Sequence, residues 1–586
     1  MKQFFKFVLA SMLGVLISTI ILVIIFIASV AVLIGSSNER VTVKDNTILH
    51  INLNLPITER SSSSPLDGLD FGPLKGDKKL GLNDILKSIK NAKEDDNIKG
   101  IYLDVSYMMT GFATIEEIRN ALIDFKKSGK FIVAYSEVYT QGAYYLASVA
   151  NKVYLNPQGI LELKGLSSEI MFFKGALDKL DIEAQIIKVG TFKSAVEPFI
   201  LDKMSDANRL QTTALLASLY NHVTLGIAQS RKIAQDSVIA IADGLKSRSP
   251  QDALNYKLVD GLKYKDQILD ELKEKTGIDK DKNLNTVGVS DYAKSIESKH
   301  SSSDKIAVVY ANGDINSGEG DENSIGSEGI SRALRKARLN DKIKAIVLRV
   351  NSPGGSALAS DVIWREVLLA KKAKPVIVSM GDYAASGGYY IACAADEIFA
   401  EPTTITGSIG VFAIIPNMKG FFNNKLGVTF DGVKTGQFAD LGNVSRPLNN
   451  AEKLILQNEV NRTYNDFTKR VAEGRKISQE YVDSIGQGRV WTGEQAVKLK
   501  LVDKLGHLND AIAAAAKKAK LTDYKTVSYP EIKDGLMGLL GDSDDRIKTY
   551  FVKQELGQSY QYYQKLKEVA NMKGLQTRLP YEISIQ

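Results

Sequence analysis

Phe7 to Ile34 forms one run without a charged residue, preceded by Lys2 and Lys6. A helix needs about 20 apolar residues to cross the hydrocarbon core of a bilayer. Residues 1–35 are therefore expected to be a transmembrane signal-anchor that meets the lipid bilayer through residues 7–34. Positive charge before the run, with little straight after it, predicts a cytoplasmic amino terminus and a main body outside the cytoplasm. A cleaved signal peptide is the rival. It would have a shorter apolar stretch and a clear small-x-small site, so the length favours an uncleaved anchor.

Beyond residue 46 the pattern changes. Thr47-Ile-Leu-His-Ile-Asn52 and Lys305-Ile-Ala-Val-Val-Tyr310 read as buried strands. Ile346 to Val350 and Pro375 to Ser379 are further strand candidates, and Leu358 to Ala370 between them has helical spacing. This β-α-β alternation predicts an α/β fold with mainly parallel strands. Residues 510–519 are alanine-rich and predict a helix. Polar stretches predict a stalk at 36–46, an exposed loop at 57–80 and a linker at 295–304. Gly313 to Gly329 is rich in glycine and acid, predicts a mobile loop, and lacks the Gly-Lys-Ser/Thr ending of a P-loop. Residues 531–586 form a tail of uncertain structure, in which 540–586 show no clear period.

One pattern occurs twice, about 245 residues apart. Gln141-Gly-Ala-Tyr-Tyr-Leu-Ala147 echoes Ser386-Gly-Gly-Tyr-Tyr-Ile-Ala392, and Asn97 to Val105 echoes Lys342 to Val350. A period this long points to duplicated domains, here 47–294 and 305–530, since solenoid repeats are much shorter. The copies differ where chemistry would sit. Ser386 stands against Gln141, and Lys193 of Lys188-Val-Gly-Thr-Phe-Lys193 stands against Ala439 of Lys434-Thr-Gly-Gln-Phe-Ala439. Two complementary half-sites predict one Ser/Lys pair assembled across the repeats.

Composition narrows the classes. Of the 586 residues 44% are hydrophobic and 24% charged, enough for sizeable cores. The net charge of +7 is spread along the chain with no basic-aromatic block, so nucleic acid is not an expected partner. A single cysteine, Cys393, excludes an intrachain disulfide. The four histidines, His50, His222, His300 and His507, lie away from both motifs, so a Ser-His-Asp triad has no support in the sequence. No Cys/His cluster has metal-ligand spacing, and no cofactor is expected.

Ser386 follows the strand 376–379 by a short expected turn, Met380 to Ala385, and precedes Gly387-Gly388. A serine at a strand-to-helix turn can be exposed beside N–H groups aimed at substrate. Taken alone, it reads more simply as a helix cap. Asn351-Ser-Pro-Gly-Gly355 ends another strand, and its paired glycines can offer backbone donors to an oxyanion. Taken alone, it is a plain turn. Lys193 can act as a base only if burial or a nearby positive charge lowers its pKa from about 10.4. Phe192, Ala195, Val196 and Phe199 offer an apolar setting, and Lys188 is a candidate like-charge neighbour. Asp382 and Glu197 are read as structural before tuning roles.

Together, Gly381 to Tyr389, Asn351 to Gly355 and Phe192 to Phe199 closely resemble the motifs of the signal peptide peptidase A family, of the long, duplicated, membrane-anchored bacterial type. The resemblance covers about residues 45–530. It implies two tandem ClpP/crotonase-like repeats and a homotetramer at the bacterial cytoplasmic membrane, facing the periplasm or cell exterior. It also implies Ser386 as nucleophile, Lys193 as general base, and Gly387 with one of Gly354 and Gly355 as oxyanion donors. The implied activity is a serine endopeptidase acting on cleaved signal peptides and other apolar extended peptides. The alternatives are an acyl-CoA-handling crotonase-type enzyme and an inactive membrane scaffold.

Overall fold

The computed structural model describes residues 2–37, 42–61, 79–296, 302–531 and 574–579, with a few helical positions between 549 and 563. Parts of the expected stalk (38–41), loop (62–78) and linker (297–301), and most of the tail after 531, lie outside the described residues. The apolar run forms the helix Lys2–Ser37. Its span Gln3–Leu22 has a mean hydropathy of 2.2 and none of it is buried against the protein. Among the described residues it is the one helix long and apolar enough to cross a membrane.

Each repeat is built on a sheet with helices packed against it. In the first, the strand order is Gly261–Leu262, Lys152–Leu161, Phe131–Tyr139, Ile98–Asp104, Thr47–Asn52, Thr286–Gly288, all parallel. In the second it is Val490–Thr492, Ile405–Gly407, Val376–Ala385, Ile343–Ser352, Lys305–Asn312, Lys525–Tyr529, parallel except for Val490–Thr492. Strands covered on both faces must be apolar nearly throughout, and Ala345 to Leu348 are all fully buried.

The duplication extends to single hydrogen bonds. Arg231 Nε donates to the Lys257 carbonyl and Arg475 Nε to the Lys500 carbonyl, both at 3.1 Å. The Tyr144 hydroxyl donates to the Leu258 carbonyl at 2.7 Å, and that of Tyr389 to the Leu501 carbonyl at 2.8 Å. The long helices Asp206–Arg231 and Asn450–Arg475 both end on a left-handed lysine, Lys232 and Lys476.

Three expectations are corrected. The ends of the expected exposed loop 57–80 pair as strands, Ile57–Thr58 with Leu80–Gly81, and Glu59 is buried. Met380 to Ala385 is no turn but the end of the strand Val376–Ala385, because Tyr383 to Ala385 pair with Ile405–Gly407. Gly313 to Gly329 is not a loop throughout. It holds the short strands Asp314–Asn316, Gly320–Asp321 and Ser324–Gly326, anchored where Ile315 pairs with Gly355. The alanine-rich helix forms at Leu508–Lys518.

A third sheet of seven strands ties the repeats together. Its order is Gly320–Asp321, Ser324–Gly326, Asp314–Asn316, Gly354–Ser356, Gln576–Arg578, Val411–Asn417, Glu183–Val189. The last strand belongs to the first repeat and runs antiparallel to Val411–Asn417, from Val189 opposite Val411 to Glu183 opposite Asn417. That pairing carries the segment with Lys193 to the end of the second repeat where Ser386 lies.

Candidate active site

Ser386 closes the strand Val376–Ala385 and caps the helix Gly387–Ala392 with φ 54° and ψ −111°. A positive φ at a non-glycine residue costs about 1–3 kcal/mol and persists only where its surroundings impose it. Here the Ser386 N–H donates to the Gly407 carbonyl at 2.8 Å, and its own carbonyl accepts from Tyr390 N–H at 2.8 Å. A Cβ on Gly388 would lie 2.7 Å from the Ser352 carbonyl oxygen, and one on Gly387 would lie 2.7 Å from Ser360 Oγ. Larger residues there would push the helix away from the serine.

Lys193 follows the strand Glu183–Val189 through a turn at Gly190, to whose carbonyl its N–H donates at 3.2 Å. A Cβ on Gly488 would sit 2.6 Å from the Lys193 nitrogen, so only glycine lets the two repeats approach this closely. Lys193 Nζ lies 2.8 Å from Ser386 Oγ, 3.0 Å from Ser408 Oγ and 3.1 Å from the Ser408 carbonyl oxygen. Lys193 and Ser386 are both fully buried. Burial alone pushes the amine well below its ordinary 10.5. The expected help from Lys188 is therefore absent. That residue sits on the strand opposite Phe412, and desolvation does the work. Of the apolar setting, Ala195 and Val196 pack with Phe412, whose ring centre is 6.0 Å from Nζ. Phe192 instead lies under the Arg489 guanidinium, and Phe199 stacks on Phe173.

Ser408 is the residue that sequence reasoning missed. It follows the strand Ile405–Gly407 with φ 50° and holds the amine through both its side chain and its carbonyl. Register places Leu163 at the matching point of the first repeat, since Leu161 faces Tyr139 as Thr406 faces Ala384. The one available signal was Gly407-Ser-Ile-Gly410, a small-residue run that the first repeat lacks.

The three glycines expected as donors cluster beside Ser386. Gly387 opens its helix, so its N–H has no intrahelical acceptor. Gly354 has φ 104°, and a Cβ on it would lie 2.9 Å from the Gly387 nitrogen. The Gly354 N–H donates to Ser352 Oγ at 3.1 Å. Gly355 pairs with Ile315 on one side and Thr577 on the other. Asp382 and Glu197 are structural. Asp382 accepts from Thr114 N–H at 2.9 Å and Thr114 Oγ1 at 2.7 Å, and Glu197 accepts from Ser205 Oγ at 2.6 Å and Asn208 Nδ2 at 2.9 Å. Among the described residues no cluster of three or more His, Cys, Asp or Glu is arranged to hold a metal. A neutral amine in hydrogen-bond contact with a serine hydroxyl can take up its proton and make it a nucleophile.

Comparison with known proteins identifies the family. The model of peptidase family S49 matches twice, at residues 124–279 and 369–522, and that of Clp protease matches residues 298–405. Protease 4 of Salmonella typhi is 40% identical over 468 residues, which is 78% of this chain and 75% of that protein. Protease 4 of Haemophilus influenzae is 38% identical over 75% of this chain and 73% of its own length. A protein of Enterococcus faecium named putative signal peptide peptidase SppA is 34% identical over 38% of this chain and 67% of its own. With both repeats matched and three quarters of each Protease 4 covered, the chain belongs to peptidase family S49 and is a serine protease.

Proposed function

We propose that Ser386 is the nucleophile and Lys193 the general base of a membrane-anchored endopeptidase. Lys193 takes the Ser386 proton as Oγ attacks the scissile carbonyl. Gly387 and Gly355 N–H groups receive the oxyanion, because Ser352 already occupies the Gly354 amide. The tetrahedral intermediate collapses with the C–N bond broken and the Lys193 proton passed to the leaving amine. The acyl group left on Ser386 is hydrolysed by a water that Lys193 deprotonates, which returns the serine hydroxyl and frees the acid. The observation that carries this reading is the 2.8 Å separation of Nζ and Oγ at a fully buried amine. The division into repeats 47–294 and 305–530 goes with it, since each supplies one half of the pair.

The substrates are cleaved signal peptides and other apolar extended peptides. An anchor of mean hydropathy 2.2 holds the enzyme where such peptides are released, and a relative bears the name signal peptide peptidase. The amino terminus faces the cytoplasm and the catalytic part lies outside the cytoplasmic membrane. The working form is a homotetramer. In support, the segment corresponding to that of Lys193 exposes Leu426, Phe430 and Val433, an apolar strip suited to a head-to-tail contact with another copy. The test is hydrolysis of an apolar peptide by the whole chain in detergent. Ser386→Ala and Lys193→Met should each reduce it to background. Activity retained by either variant contradicts the assignment.

A further inference from the structure

The turn at 486–489 meets Lys193 from two sides. Toward the first repeat, the Gln487 carbonyl accepts from Phe192 N–H at 2.8 Å, and a Cβ on Gly190 would lie 2.6 Å from the same oxygen. Gln487 Oε1 accepts from Thr191 N–H at 3.4 Å, and the Arg489 guanidinium lies 5.1 Å from the centre of the Phe192 ring. Toward the second repeat, Gly488 N–H donates to the Ile409 carbonyl and Ser408 N–H to the Arg489 carbonyl, both at 2.7 Å. The backbone that leads into Lys193 and the serine that holds its amine therefore hang from one turn.

That turn is itself held in an uncommon shape, with φ 51° at Gln487 and 79° at Gly488. A left-handed glutamine persists only where its surroundings impose it. Its side chain shows what does so. Gln487 Nε2 donates to Asp483 Oδ1 at 2.5 Å and to the Tyr464 hydroxyl oxygen at 3.2 Å. The Tyr464 hydroxyl donates to Asp483 Oδ1 at 2.6 Å and accepts from Gln487 N–H at 3.2 Å. The first repeat keeps the frame and lacks this network. Gln235 Nε2 donates to Asn221 Oδ1 as Gln479 Nε2 does to Asn465 Oδ1, both at 3.0 Å, which sets Tyr220 against Tyr464, Ile239 against Asp483 and Asp243 against Gln487. There the buried Tyr220 hydroxyl has no hydrogen-bond partner among the described residues. The network occurs in the repeat whose turn has a lysine to hold.

We propose that Gln487, anchored by Tyr464 and Asp483, is a positioning residue that sets Lys193 Nζ against Ser386 Oγ. It touches no reacting atom and acts through the backbone of Thr191 and Phe192. This inference rests on the reading of Lys193 as the base. Its test is the kcat, KM and pH profile of apolar-peptide hydrolysis by the whole chain in detergent, with thermal melts alongside. Gln487→Ala should lower kcat about 10- to 100-fold with KM within about twofold. An amine loosened from its seat regains water, so the pH midpoint of kcat should move up towards 10.5. A purely structural role would lower Tm and leave that midpoint in place. Gln487→Met keeps the bulk without the hydrogen bonds and should shift kcat and midpoint in the same directions. Asp483→Ile, which puts the first repeat's residue there, should match Gln487→Ala, and the two together should cost little more than either alone, since both cut one path. Asp483→Asn keeps an acceptor for the Tyr464 hydroxyl and should keep kcat near that of the unaltered chain. Unchanged kcat in Gln487→Ala and Gln487→Met, or a loss of kcat with the midpoint unmoved, overturns the inference. Full activity of Lys193→Met in the same assay refutes the reading of Lys193 as base and takes this inference with it.

Discussion

The two repeats share a scaffold down to individual hydrogen bonds, yet their equivalent positions do different work. Gln141 starts its helix after Thr140 at φ −68° and ψ 161°, an ordinary cap. Its Oε1 accepts from the Lys164 and Gly165 N–H groups, both at 3.1 Å, and its Nε2 donates to the Gly165 carbonyl at 3.2 Å. Ser386, at the same point of the second repeat, is held at a positive φ facing a lysine. Asp104 meets His50 at 3.4 Å and Lys265 at 3.7 Å near the surface. Its counterpart Arg349 is fully buried between Glu59 at 2.9 Å and Glu117 at 2.5 Å, both from the first repeat. Where the second copy departs from the first, its side chains reach across to the first copy. Specialisation after duplication has made the interface between repeats into both the proposed active site and the joint that holds it.

That contrast can be broken at several points. The largest effect is expected from removing either half of the pair. Ser386→Ala and Lys193→Met should lower kcat/KM by about 10³-fold or more, judged from the size of general-base and nucleophilic contributions. An equimolar mixture of the two variants should stay inactive if one protomer supplies both residues, which a rate measurement on the mixture decides. Next comes the joint. Arg349→Met leaves two buried carboxylates without their partner and should cost about 3–5 kcal/mol, read as a lowered denaturation midpoint. The equivalent change Asp104→Asn, at a partly exposed pair, should move it by less than about 1 kcal/mol. Ser408→Ala should lower kcat about 10- to 100-fold through a misplaced amine, with KM little changed.

Smaller effects sharpen the comparison further. Folding lowers the Lys193 pKa, so between that value and 10.5 the unfolded chain carries the extra proton and stability rises with pH. The buried amine therefore destabilises most at low pH. Lys193→Met should raise Tm at pH 7, by an amount that shrinks as pH approaches 10.5, as thermal melts across pH would record. Gln141→Ser removes three hydrogen bonds at a buried position and should cost about 1–3 kcal/mol. In a Ser386→Ala background it should restore no activity, because Ala439 stands at the counterpart of Lys193 and the first repeat has no glycine pair at 106–110.

Much of this was legible in the sequence because duplication makes each repeat a control for the other. The mirrored loss of Ser at 141 and Lys at 439 pointed to a site that neither motif announced alone. The strands and the alanine-rich helix followed from apolar runs and propensity. Three things were not legible. Strand pairing decided that Met380 to Ala385 and part of Gly313 to Gly329 are extended, and pairing joins residues distant in sequence. Ser408 acts through its position at a strand end, and a lone serine among small residues carries no periodic signal. The tail strand is only three residues long and takes its conformation from the slot it fills.

The central claim is that an uncharged Lys193 activates Ser386. The rate at which a serine-reactive phosphonate labels the protein, followed by mass spectrometry across pH, tests it most directly. The adduct should map to Ser386, form along a sigmoid whose midpoint lies well below 10.5, and disappear in Lys193→Met. Labelling at another serine, or labelling of Ser386 that proceeds unchanged without the lysine, would contradict it.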